Sequence, residues 1–170
     1  MELVPYSEDF LETNYSWRQE EAARRFNPFQ PMTIEELGSK CLQMGRRLED
    51  YRDFEEVRYF AFVDGELIGN CGITSINPLM NTAIIGYLVG ENFHGKGFGT
   101  QMVSMFIREA FEKTDLRRIE AYIHPENRPS IALAEKLGFK KEGLLRECII
   151  LNGKSADNYL YSLLKSEYQY

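Results

Sequence analysis

Cysteine, histidine and tryptophan are scarce in this chain, at three, two and one among 170 residues. Cys41, Cys71 and Cys148 stand far apart and are odd in number. The absence of a C-x-x-C pair and of a Cys/His cluster excludes a zinc ribbon and a disulfide framework. It predicts inert thiols in a reducing, cytoplasmic setting, with no metal. No run approaches the ~18 apolar residues of a membrane helix. The opening MELVPYSEDF lacks the basic-then-apolar order of a signal peptide, so neither membrane insertion nor export is expected. A basic excess is missing too: 20 Lys and Arg face 26 Asp and Glu, for a net charge of −6. That balance argues against a nucleic-acid partner, whose binding rests on cations that neutralise phosphate. Repeats and low-complexity segments are absent.

What remains has the make-up of one globular domain spanning residues 1–170, with 44% apolar and 27% charged residues. Residues 2–5 read as a short strand and 7–24 as a helix, with Phe10, Leu11, Tyr15 and Trp17 on its apolar side. RFNPFQPM breaks the chain twice with proline. Thr33 and Glu36 then form a capping box that opens a helix to about Arg52. VRYFAFVDGELIGNCGITSI carries two β-rich runs around Asp64-Gly65, a hairpin signal, and TAIIGYLV is a further strand. QMVSMFIREAFEK places Met102, Val103, Phe106, Ile107, Ala110 and Phe111 on one helical face. RRIEAYIH is a strand, and Ser130 to Leu137 a short helix closed by Gly138. Two last strands meet near Asn152-Gly153. This order predicts a mixed α/β (α+β) sheet of about seven strands and four helices.

The chemistry concentrates in GENFHGKGFGT, residues 90–100, between a strand and a helix. Gly95, Gly97 and Gly99 alternate, with Lys96 and Phe98 between them. Glycine permits positive φ and close backbone approach, and successive N–H groups at a helix start make an anion cradle. An ATP-binding P-loop would need a hydroxyl directly after Lys96 to hold Mg²⁺, and Gly97 has none. The dinucleotide fingerprint G-x-G-x-x-G does not fit either. A phosphate held by backbone amides without metal is the reading left.

YLVGENFHGKGFGTQMV resembles the coenzyme A loop of the GNAT superfamily of N-acetyltransferases, [QR]-x-x-G-x-[GA], with His94 standing where Gln or Arg is usual. HPENRPSIALAEKLGFKKEG resembles the second signature of that family. With GYLV and the late LNGK, it is similar to the Rim-type branch that acetylates ribosomal-protein N-termini. The resemblance implies a sheet splayed between its fourth and fifth strands. Acetyl-CoA would lie in that gap as co-substrate, its pantetheine beside Leu88, Val89 and Gly90. Its pyrophosphate would sit on the amides of Gly95, Lys96, Gly97, Phe98, Gly99 and Thr100, with His94 at the loop's mouth. The Leu88 N–H would polarise the thioester carbonyl. Asn127 would bond pantetheine or cap the helix, and Ser130 would bond the cofactor and act as the acid toward the departing sulfur, since the family's usual tyrosine is Ala134 here. The family's strand glutamate is Ile84. The base is therefore left among Glu91, Glu126, Tyr87 and a water relay, while His124 reads as structural. Trp17, Asn27 and Phe29 are expected to line the acceptor pocket.

The implied activity is acetyl transfer to a primary amine by direct attack in a ternary complex. The expected acceptor is the N-terminal α-amine of a protein or peptide, and the chain's acidity suits a basic one. The alternatives are a small amine (polyamine, amino acid or aminoglycoside) and a non-catalytic acyl-CoA-binding protein. A monomer and a homodimer are both compatible with the sequence.

Overall fold

The computed structural model describes residues 1–28 and 31–168. Seven strands form one mixed sheet: β1 (Glu2–Pro5), β2 (Glu56–Val63), β3 (Glu66–Asn77), β4 (Thr82–Val89), β5 (Arg118–Ile123), β6 (Lys140–Leu151) and β7 (Lys154–Leu164). Their spatial order is β1-β2-β3-β4-β5-β7-β6. Among these described strands, only the central β4–β5 pair is parallel. Five α-helices accompany the sheet: α1 (Leu11–Gln19), α2 (Glu21–Phe26), α3 (Ile34–Leu42), α4 (Phe98–Lys113) and α5 (Arg128–Lys136).

The two hairpins form where the turn residues dictate. Asp64 and Gly65 have φ of 52° and 82°, and Asn152 and Gly153 have 52° and 77°. Paired positive φ values are the type I′ geometry that matches the twist of antiparallel strands. Alternation along β2 then divides the core. Tyr59 and Ala61 join a large cluster built on α4, whose Met102, Phe106, Ile107 and Phe111 are fully buried. Phe60, between them, joins a smaller cluster with Leu37, Cys41 and Met44 of the α3 region. Helices therefore cover both faces, and the site lies at the end of the sheet where β4 and β5 part.

Two expected helices are interrupted, each by a tertiary contact. The stretch 7–24 becomes a 3₁₀ turn at Glu8–Phe10, then α1 and α2, with a break at Glu20 (φ −59°, ψ 140°). There the Glu20 carboxylate accepts the Glu91 N–H at 3.1 Å, and the Glu91 carboxylate accepts the Ala22 N–H at 3.0 Å. The helix expected up to Arg52 stops at Leu42, because the Gly45 N–H donates to the Glu56 carbonyl at 2.8 Å and so joins the sheet. The capping box is present: Thr33 and Glu36 bond each other's backbone N–H.

Candidate active site

Strands β4 and β5 pair only through Thr82–Arg118, Ala83–Ile119 and Ile84–Glu120. Beyond Ile84 they diverge, because β5 continues along β7 up to Ile123–Tyr159 while β4 continues along β3 up to Val89–Gly69. The wedge between them holds a cavity of about 80 Å³ that reaches Ile85, Tyr87, Ala121, Asn127 and Ser130.

Strand alternation decides which backbone groups face this wedge. The Gly90 N–H donates to Ile68 of β3 at 3.1 Å, and the register pairs Leu88 with Asn70. The Leu88 N–H therefore points at β3, not into the gap as expected from the resemblance. Odd-numbered residues face the other way, as the Asn81 carbonyl does when it accepts the Arg117 N–H at 2.9 Å. The gap-facing N–H groups are thus those of Tyr87 and Val89. The Leu88 side chain lines a second cavity on the neighbouring side.

At the mouth of the gap, Gly95 and Gly97 have φ of 74° and 80°, and a Cβ on either would meet nothing within 4 Å. Gly97 caps α4 through its backbone, so the first-turn amides of Phe98, Gly99 and Thr100 open onto that space. Lys96 is exposed, its Nζ 5.5 Å from the centre of the Phe93 ring. His94 folds back, its Nε2 2.8 Å from the Val89 carbonyl oxygen. Gly90 is required for a different reason: a Cβ there would lie 2.4 Å from the Trp17 Nε1.

Across the gap, the Tyr87 hydroxyl and the Ser130 Oγ are 2.5 Å apart. Burial pushes the Tyr87 phenol above its ordinary pKa, and the bond to Ser130 partly offsets this. At neutral pH Tyr87 is therefore protonated and not a base. Asn127 caps α5, its Oδ1 accepting the Ser130 N–H at 3.3 Å, so its capping role and its place on the gap wall coexist. Ala134 is buried in the core and holds no hydroxyl to the gap.

The other proton acceptors considered lie elsewhere. Glu91 is exposed and holds the N-terminus of α2, so the structure does not bring it to the gap. Glu126 is exposed, its N–H bonded to His124 Nδ1 at 3.2 Å, while the His124 ring stacks on Phe26 at 5.2 Å. Of the residues expected to line the acceptor pocket, Trp17 is buried against Gly90, Asn27 lines both cavities, and Phe29 lies outside the described residues.

The second cavity measures about 300 Å³ and shares Asn27, Gly86 and Tyr87 with the gap. Its wall carries a polar chain that sequence reading missed. Arg58 Nε bonds Glu56 Oε1 at 2.5 Å, Arg58 Nη1 bonds Asn70 Oδ1 at 2.9 Å, and Asn70 Nδ2 bonds Asn14 Oδ1 at 3.1 Å. The available signal was Asn70, a polar residue inside an apolar, buried strand.

The sheet is splayed between two parallel strands, with a glycine-lined helix start at the mouth of the splay. The chain belongs to the acetyltransferase (GNAT) domain family, whose profile matches residues 1–140. An N-acetyltransferase of Bacillus licheniformis, p20, is 47% identical over 103 residues, which cover 61% of this chain and 58% of that protein. The putative ribosomal N-acetyltransferase YdaF of Bacillus subtilis is 33% identical over 119 residues, 70% of this chain and 65% of that one. Both matches thus span less than two thirds of the relative's length. Among solved structures, RimJ of Mycobacterium smegmatis in complex with a CoA disulfide superposes with a TM-score of 0.85 at 25% identity, covering 97% of this chain and 82% of that one. A spermidine N-acetyltransferase from Vibrio cholerae, in complex with CoA and spermine, has a TM-score of 0.84, covering 98% of this chain and 96% of that one; at 22% identity it shows the fold alone.

Proposed function

We propose that this chain transfers the acetyl group of acetyl-CoA to a primary amine, the N-terminal α-amine of a protein or peptide, by direct attack with both substrates bound. The observation that carries this reading is the meeting of the two cavities at Asn27, Gly86 and Tyr87. One cavity lies behind a phosphate cradle and the other opens beside it, so two substrates can touch without a covalent enzyme intermediate.

The residues present fit acetyl-CoA. Gly95 and Gly97 leave open space where any other side chain would place a Cβ, and the first turn of α4 directs its amides there. Bound there, acetyl-CoA supplies an acetyl thioester. The Tyr87 and Val89 N–H groups, left over by the splay, are the donors positioned to stabilise negative charge on an oxygen in the gap. Ser130, bonded to Tyr87, supplies the proton to the departing sulfur, and Asn127 orients Ser130 through its backbone. Among the described residues no carboxylate lines the gap. The amine therefore arrives neutral or loses its proton to water or to His124, which lines the gap. An α-amine, with a pKa of ~7.7–8.0, does so far more readily than a lysine side chain at ~10.4.

The test is a pair of peptides assayed for free thiol release from acetyl-CoA. One has a free N-terminus and blocked lysines, the other a blocked N-terminus and free lysines. Turnover of the first supports the reading, and preference for the second overturns it. Turnover of polyamines alone would keep the acetyltransferase and replace its acceptor.

A further inference from the structure

The second cavity has a charge opposite to that of the chain. The whole chain carries −6, yet Arg18, Lys40 and Arg58 line this cavity against one carboxylate, Glu56. That carboxylate is already bonded to Arg58 at 2.5 Å, and both side chains are about six-sevenths buried, at 15% and 14% exposed. Arg58 is locked in orientation. Its Nε is held by Glu56 and its Nη1 by Asn70, which is itself held by the buried Asn14. Its Nη2 stands 3.8 Å from the position a Cβ on Gly86 would occupy, next to Tyr87 and the junction of the two cavities. Gly86 thus leaves room on β4 in front of a fixed guanidinium edge. Arg18 comes to the same cavity and is mostly buried, which, together with Arg58, holds its pKa below the ordinary arginine value.

A rigid guanidinium in a partly desolvated pocket is matched by a carboxylate, which it can bind through more than one N–H. A second cation brought there would meet the like charges of Arg18, Lys40 and Arg58. We infer that the acceptor carries a carboxylate close to its amine, and that Arg58, seconded by Arg18, reads it as the amine enters the gap. In a peptide this is an Asp or Glu directly after the acetylated residue, and a free amino acid offers the same two groups. The overall acidity of the chain, which suggested a basic partner, is a property of its outer surface and not of this pocket. The inference rests on the α-amine acceptor proposed above and specifies its neighbour.

Three hexapeptides test it, each with a free N-terminal alanine, an amidated C-terminus and no other charge, with Asp, Asn or Lys as second residue. Free aspartate and spermidine run alongside. The Asp peptide is expected to exceed the Asn peptide in kcat/KM by about 10-fold or more, the scale of one charge-assisted hydrogen bond, and the Lys peptide to be the poorest. Arg58→Gln should bring the Asp and Asn peptides together, and Arg58→Lys should keep part of the difference. The acetyl-CoA-induced rise in Tm reports whether each variant is folded. Should Arg58→Gln not fold, the wild-type salt series decides: KM for the Asp peptide must rise with ionic strength while that for the Asn peptide does not. Equal rates for all three peptides, or preference for Lys, overturn the carboxylate and leave the α-amine reading standing. Turnover of free aspartate with inert peptides supports the carboxylate and overturns the peptide. Turnover of spermidine alone overturns both.

Discussion

The hydroxyls of Tyr87 and Ser130 meet at 2.5 Å across the gap between β4 and α5. A tyrosine from the strand thus closes on a serine from the helix, while position 134 of that helix holds a buried alanine. If the pair donates one proton, its members act as a unit. Ser130→Ala is expected to lower kcat by ~10²–10⁴-fold with little change in CoA affinity. Tyr87→Phe should also lower it, and the double variant should lose no more than the worse single one. Single-turnover rates on the four proteins check this. Full additivity would separate the two roles.

The open space over Gly97, at φ 80°, makes a sharp prediction for the cofactor. Gly97→Asp puts a carboxylate into the cradle at a position where Asp tolerates left-handed backbone better than most residues. The fold should survive, while the rise in Tm given by acetyl-CoA disappears. In the wild type that rise should be the same with EDTA and with Mg²⁺.

Glu91 holds the N-terminus of α2 through the Ala22 N–H. Glu91→Ala is therefore expected to cost ~0.5–2 kcal/mol of stability, the range for a lost helix cap, read as a fall in urea midpoint. The chemical step should change by less than tenfold. A catalytic base in this place would give the reverse, a large kinetic loss in a protein of unchanged stability.

Burial raises the pKa of Tyr87 above its free value. The folded state thus holds this proton more tightly than the unfolded chain. The resulting stability is complete below the unfolded pKa of ~10 and is lost as pH rises toward the folded value. Between pH 6 and 9 Tyr87 should add no falling limb to the rate. kcat/KM should only rise, through the pKa of the amine, and Tyr87→Phe should keep that profile at a lower level.

The strands and hairpins were legible because their signals are local. Asp64-Gly65 and Asn152-Gly153 specify their own turns, and α4 declares its buried face by period. The glycine loop was legible too, since φ of 74° and 80° at Gly95 and Gly97 is what glycine adopts most readily. The break at Glu20 was not, because it depends on Glu91, 71 residues away. The direction of the Leu88 N–H was also hidden. It depends on the parity of the β3–β4 register, and a shift of one residue would exchange Leu88 for Tyr87 or Val89. Arg58 joins Asn14 and Asn70 only after helix and strands have packed, so nothing in its own segment marked it.

The chain's single tryptophan, Trp17, lies with its indole nitrogen against the backbone of Gly90, the residue that joins β4 to the glycine loop. Any Cβ at Gly90 would collide with it, so Gly90→Ala should both destabilise the protein and displace the ring. The same contact makes the protein its own optical instrument. With one emitter seated behind the loop, tryptophan emission should register loop ordering directly, and stopped-flow fluorescence could time cofactor arrival and departure with no label attached.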